Sequence, residues 1–105
     1  MSKLVSELEI EKFNKDGAVF LKNKFEISWI NKLKKGIERD IDNPSPRFKS
    51  HTIEKNVPAY LEDYWTWHLI PEFKEFVYNS PYAQIASELM SAKKINLVMD
   101  NWFLR

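Results

Sequence analysis

Apolar positions recur at intervals of three and four between residues 26 and 42. Ile30, Leu33, Ile37 and Ile41 form one stripe, while Lys32, Lys34, Lys35, Glu38 and Arg39 fall off it. That period predicts an amphipathic helix. Asn43-Pro44-Ser45-Pro46 ends it, because proline supplies no backbone amide. A shorter helix is expected before it, carrying Leu8, Ile10 and Phe13. Ser6 and Glu9 have the spacing of a capping box at its start, and Gly17 suits a left-handed end. The apolar run Ala18-Val19-Phe20-Leu21 predicts a short strand near 18–22. Residues 43–59 read as one long loop, a length that is uncommon in a compact domain. Tyr60 to Leu69 is dense in aromatics (Tyr60, Tyr64, Trp65 and Trp67), which suits core packing. Pro71 opens a short helix with Phe73, Phe76 and Val77 inward. Ser80-Pro81 is a serine cap followed by proline at the first helical position. The helix it opens runs to about Met90, with Tyr82, Ile85, Ala86 and Leu89 inward. The last segment, 95–104, reads as a strand that is apolar on both faces. Ile95, Leu97 and Met99 lie on one side, Val98, Trp102 and Leu104 on the other. The sum is a single α+β domain, mostly helical.

Composition narrows the setting. The 105 residues are 44% hydrophobic and 14% aromatic, enough for one small core. Sixteen basic against fifteen acidic residues leave a formal charge of +1. That balance argues against a general electrostatic grip on nucleic acid or on an anionic membrane. No stretch approaches the roughly 20 apolar residues of a membrane span. The N-terminal MSKLVSELEIEKF carries acids early and has no unbroken apolar run, unlike a signal peptide. The absence of cysteine excludes disulfides and thiolate metal sites and suits a cytoplasmic location.

Candidate chemistry is sparse. A non-haem iron site needs two histidines and a carboxylate on one face of the metal. The chain has His51, followed by Thr52-Ile53, and His68, followed by Leu69-Ile70, so neither forms a His-x-Asp or His-x-Glu pair. His68, beside Trp65 and Trp67, reads as a part-buried ring with one hydrogen bond, and His51 as a loop residue. Gly17 and Gly36 are the only glycines, which leaves no phosphate-cradling loop, and no serine sits in a Gly-x-Ser-x-Gly turn. The acidic pairs Glu62-Asp63 and Asp40/Asp42 read as solvated faces, as do Lys34-Lys35 and Lys93-Lys94. The residues by themselves thus indicate no catalytic group and no metal ligand.

The order of segments is more specific. Glu11 to Leu21, EKFNKDGAVFL, resembles the opening "F-x-x-x-G-(apolar strand)" of the phytanoyl-CoA dioxygenase family. Pro71-Glu72-Phe73-Lys74-Glu75-Phe76 and Ser80 to Met90, SPYAQIASELM, resemble that family's two short helices, and Ile95 to Arg105 resembles its first main barrel strand. The resemblance implies the N-terminal helical buttress and first strand of a double-stranded β-helix (jelly-roll) oxygenase dependent on Fe(II) and 2-oxoglutarate. It also implies hydroxylation of a small organic or acyl substrate. The His-x-Asp pair and distal histidine that hold iron in such enzymes lie outside these 105 residues, so this chain alone is expected to be inactive and to bind neither cofactor tightly. The resemblance assigns Arg105 to 2-oxoglutarate, the other reading of Arg105 being a solvated terminal charge, and Asn101 is a candidate beside it by its place on the strand. Arginine stands where lysine is more usual, and a guanidinium can grip a carboxylate with two bonds. Period-two alternation puts Asn101 and Arg105 on one face, where Met99 and Phe103 would join them. The alternative is a non-catalytic module that docks a partner through its strand edge or through residues 60–67. Either way, an apolar strand edge at 95–104 is expected to support homodimerisation or domain swapping.

Overall fold

The computed structural model describes residues 2–51 and 60–105. Among the described residues there are four helices, α1 (Glu7–Asp16), α2 (Ile27–Asp42), α3 (Pro71–Asn79) and α4 (Tyr82–Met90). They carry one antiparallel sheet of β1 (Lys49–His51), β2 (Tyr60–Tyr64) and β3 (Asn101–Leu104), in the order β1-β2-β3. The fold is α+β, with helix predominant.

Local signals set the helix ends. The Ser6 hydroxyl accepts from the Glu9 amide at 3.1 Å and the Glu9 carboxylate from the Ser6 amide at 2.8 Å, so the capping box is present. Gly17 closes α1 at φ 77°, a left-handed geometry that a Cβ would strain. Pro71 sits at the start of α3, where its missing amide costs nothing. Ser80 caps the end of α3, and its hydroxyl accepts from the Tyr82 amide as α4 begins.

Several sequence expectations are corrected. Residues 18–22 are not a strand, and Phe20 is 82% exposed. A strand requires a neighbour to take its backbone groups, and the sheet lies elsewhere. This segment instead leads Leu21 and Phe25 into a cluster with Val5, Ile10 and Ile85. The expected loop 43–59 contains β1, and the aromatic segment after it supplies β2. The rest of that loop, 52–59, lies outside the described residues. The expected strand 95–104 is paired only over 101–104. Its partner decides the length. Beyond Tyr64, which pairs with Asn101, the chain leaves the sheet at Trp65 with φ 55°. Residues 95–100 then have no β2 residue opposite them.

The buried face of α2 is also turned from the expected stripe. Ile30 and Ile41 are 40% and 36% exposed, while Gly36 and Asp40 are buried. Gly36 is the point of closest approach to α3. A Cβ there would come within 2.5 Å of the Phe73 ring.

The core is split. A second cluster joins Ile70, Phe73 and Trp102 with Leu33, Ile37, Phe48, Leu61 and Trp67, and so fixes one face of the sheet to α2 and α3. Between the two clusters, Phe76 meets Phe25, Trp29 and Tyr82 at ring-centroid distances of 5.5 to 5.9 Å.

Candidate functional site

The sheet has two unlike faces. Directly paired residues share a face, which places Ser50, Leu61 and Leu104 with Asp63 and Trp102 on the side packed against the helices. The other side carries Lys49, His51, Tyr60, Glu62, Tyr64, Asn101 and Phe103. Phe103 is 54% exposed there, and its ring stacks on Tyr60 at 5.8 Å. His51 packs against Tyr60 and lies 3.4 Å from the Glu62 carboxylate. Thus His51 belongs to a strand rather than a loop. Asn101 is exposed on this open face. Arg105, also exposed, follows the last paired residue, and alternation directs it to the same side. Met99 precedes β3 and is 52% exposed, at the edge of a different feature. This is an apolar cleft of about 340 Å³ between α2, α3 and residues 97–102, with Leu33, Ile37, Phe73, Leu97 and Trp102 among its walls. The structure therefore brings Asn101 and Phe103 together on the open face, while Asn101 and Met99 both border the cleft.

A polar framework holds β2 and β3 in place. The Asp100 carboxylate accepts from the amides of Thr66 and Trp67, each at 3.0 Å, and from the Thr66 hydroxyl at 2.8 Å. The Trp65 amide donates to the Asp100 carbonyl. Asp100 so clamps the turn at which β2 leaves the sheet. From the other side the Arg47 guanidinium donates to the carbonyls of Tyr64 and Trp65 and lies over both their rings. His68 is exposed, edge-on to Trp65 and Trp67, rather than part-buried.

Beneath the sheet lie two carboxyls that the sequence reading placed in solvent. Asp40 is 1% exposed and Asp63 is 0% exposed. The Trp102 indole N–H donates to Asp40 Oδ2 at 2.9 Å, which ties β3 to α2. The Ser45 hydroxyl and the Tyr64 amide donate to Asp63 Oδ1 at 2.7 and 2.8 Å. Asp40 Oδ1 is buried with no donor among the described residues. Burial, and then the neighbouring Asp63 carboxyl, raise the Asp40 pKa to about 6 against the donation from Trp102. A further buried acid, Glu72, is satisfied differently. Arg39 reaches it with two bonds of 2.7 and 2.8 Å and holds its pKa down at about 2.

Spacing along the chain held a usable signal for Asp40. It follows Leu33 and Ile37 at the helical period and so lies on the buried stripe. Asp63 alternates with Leu61, a signal that becomes visible only once 60–64 is read as a strand. Among the described residues no three His, Cys, Asp or Glu side chains converge as a metal would require. Nor is any helix there long and apolar enough to cross a membrane. No family model, curated protein or solved structure matches the chain.

Proposed function

We propose that this chain forms the helical buttress and first sheet layer of an Fe(II)- and 2-oxoglutarate-dependent oxygenase of the phytanoyl-CoA dioxygenase type. The iron ligands and most of the barrel would come from strands added beyond β3. One observation carries this reading: the helices cover one face of the sheet and leave Asn101 and Phe103 exposed on the other. A barrel strand backed by helices has to present its cofactor-facing side chains away from them. In such an enzyme Arg105 would pair with a carboxylate of 2-oxoglutarate, with Asn101 beside it, while the added strands would supply iron to activate oxygen.

The test begins with the reading frame after the Arg105 codon. A frame that continues into a His-x-Asp pair and a distal histidine is the expected result. In that longer polypeptide Arg105→Ala should weaken 2-oxoglutarate binding about 10-fold or more, the loss of a charge-assisted pair worth about 1.5–3 kcal/mol. A stop codon directly after Arg105 would overturn the oxygenase reading.

The position of β3 at an edge of the sheet favours a second reading, in which the chain is a non-catalytic docking module. Its partner would add a strand to β3, whose outer edge has no neighbouring strand among the described residues. The two readings differ in stability. A module complete in itself unfolds cooperatively at ordinary temperature, whereas a buttress that needs further strands does not.

A further inference from the structure

Asp40 and Asp63 stand where three parts of the fold meet. Asp40 comes from α2 and Asp63 from β2, while Trp102 of β3 and Ser45 of the turn after α2 supply neutral donors. Both carboxyls are shut off from water. Two ionised carboxylates in contact there would repel each other without solvent screening, and neither could be left charged without a donor on each oxygen. The donors are one short. Asp63 Oδ1 has the Ser45 hydroxyl and the Tyr64 amide, Asp63 Oδ2 has the Ser45 amide at 3.4 Å, Asp40 Oδ2 has Trp102, and Asp40 Oδ1 has none among the described residues. A single proton held between the two acids makes up the deficit, turning a repulsion into a hydrogen bond.

We propose that Asp40 and Asp63 form a proton-sharing latch that fastens β2 and β3 to α2, and that loss of the shared proton loosens β3. Few other charges face the pair among the described residues. Asp63 is the titratable group from β2, and β3 contributes only the Trp102 indole. On α2 the neighbouring Arg39 is turned to Glu72 of α3, while Lys35, Glu38 and Asp42 line an outer groove with Asp40. The direction of the pH effect follows. The folded chain holds a proton that an unfolded aspartate would release at about pH 3.9. Stability from the latch is therefore full below that pH and is lost as the pH rises through about 6. Repulsion between the two ionised acids would part β2 from α2, and β3, paired to β2, would loosen with it.

Asp40→Asn separates this from a merely structural role, because an amide reproduces the protonated form. Its oxygen can accept from Trp102 while its NH2 donates to Asp63. The experiment is urea unfolding of the full chain and of this variant from pH 5 to pH 8, with amide hydrogen exchange of Trp102 and Phe103 across the same range. The wild-type folding constant should fall about tenfold over that range, since about one unit of the displacement lies above pH 5 and each unit corresponds to tenfold, and exchange of β3 should quicken in step. Asp40→Asn should remove most of this dependence and at pH 8 be at least as stable as wild type. Because His51 and His68 are common to both chains, the difference between the profiles reports the acid pair. A variant that keeps the wild-type slope, or is less stable than wild type at pH 8 or fails to fold, would overturn the latch. So would a wild-type profile flat from pH 5 to 8.

Discussion

At the scale of single residues, buried carboxylates behave according to what faces them. Glu72 and Asp40 are both buried, yet they move in opposite directions from ordinary acids. Glu72 meets a guanidinium that satisfies both its oxygens. Asp40 meets an indole N–H and another acid. Removing the charge of Glu72 by Glu72→Gln leaves Arg39 with a neutral partner and should lower stability by about 1–3 kcal/mol at pH 7, read as a shift in the urea midpoint. The pH effect at this site has a definite sign. Because its folded value is depressed, the contribution of Glu72 is complete above about pH 4.5 and is lost as the pH falls toward about 2. Glu72→Gln should therefore lose its deficit in acid.

At the scale of elements, the packing of α2 on α3 turns on a missing side chain. The Phe73 ring occupies the space that a Cβ at Gly36 would need. Gly36→Ala would gain about 1 kcal/mol of helix propensity, but it would have to displace that ring or part the helices. Overpacking of this kind costs about 1–3 kcal/mol. The variant should be net destabilised, by thermal or urea unfolding, and Gly36→Val more so. Stretches predicted from apolar runs failed for a related reason. Ala18–Leu21 and Ile95–Met99 have residues suited to strands, but no strand pairs with either among the described residues. Burial pattern sets which side chains a segment can hide, and hydrogen-bonding neighbours set whether it becomes a strand.

At the scale of the whole molecule, the described core is small and divided. Six apolar residues fall in the most buried class, shared between two clusters. The radius of gyration is 16.1 Å with principal extents of 48 × 28 × 25 Å, against about 13 Å for a compact chain of this length. Meanwhile Phe103 and Leu104 on the edge strand are 54% and 42% exposed. An edge strand of this kind is a template for strand addition, and the prediction is that a second copy supplies the strand. Sedimentation equilibrium should show a mass that rises with concentration from the micromolar range upward. Phe103→Lys, which puts a charge on the open face, should shift the chain toward monomer without unfolding it. A clean monomer up to millimolar concentration would count against association through β3.

What the chain determined by itself is local. The Ser6–Glu9 box, the left-handed stop at Gly17, proline at the start of α3 and the period of α2 depend on contacts within a turn or two. They need no knowledge of the rest of the fold. The shared face of Asn101 and Phe103 also follows from alternation alone, whereas its exposure depends on which side the helices cover. Tertiary structure decided what depends on partners distant in sequence. The end of β2 at Trp65 limited β3 to four residues, and on α2 the approach of α3 covered Gly36 while Trp102 of β3 reached Asp40. Asp40 and Asp63 are 23 positions apart, each in an acidic pair whose charge by itself reads as solvated. Only when the sheet folds over α2 are the two acids dehydrated together, and their chemistry arises from that shared loss of water.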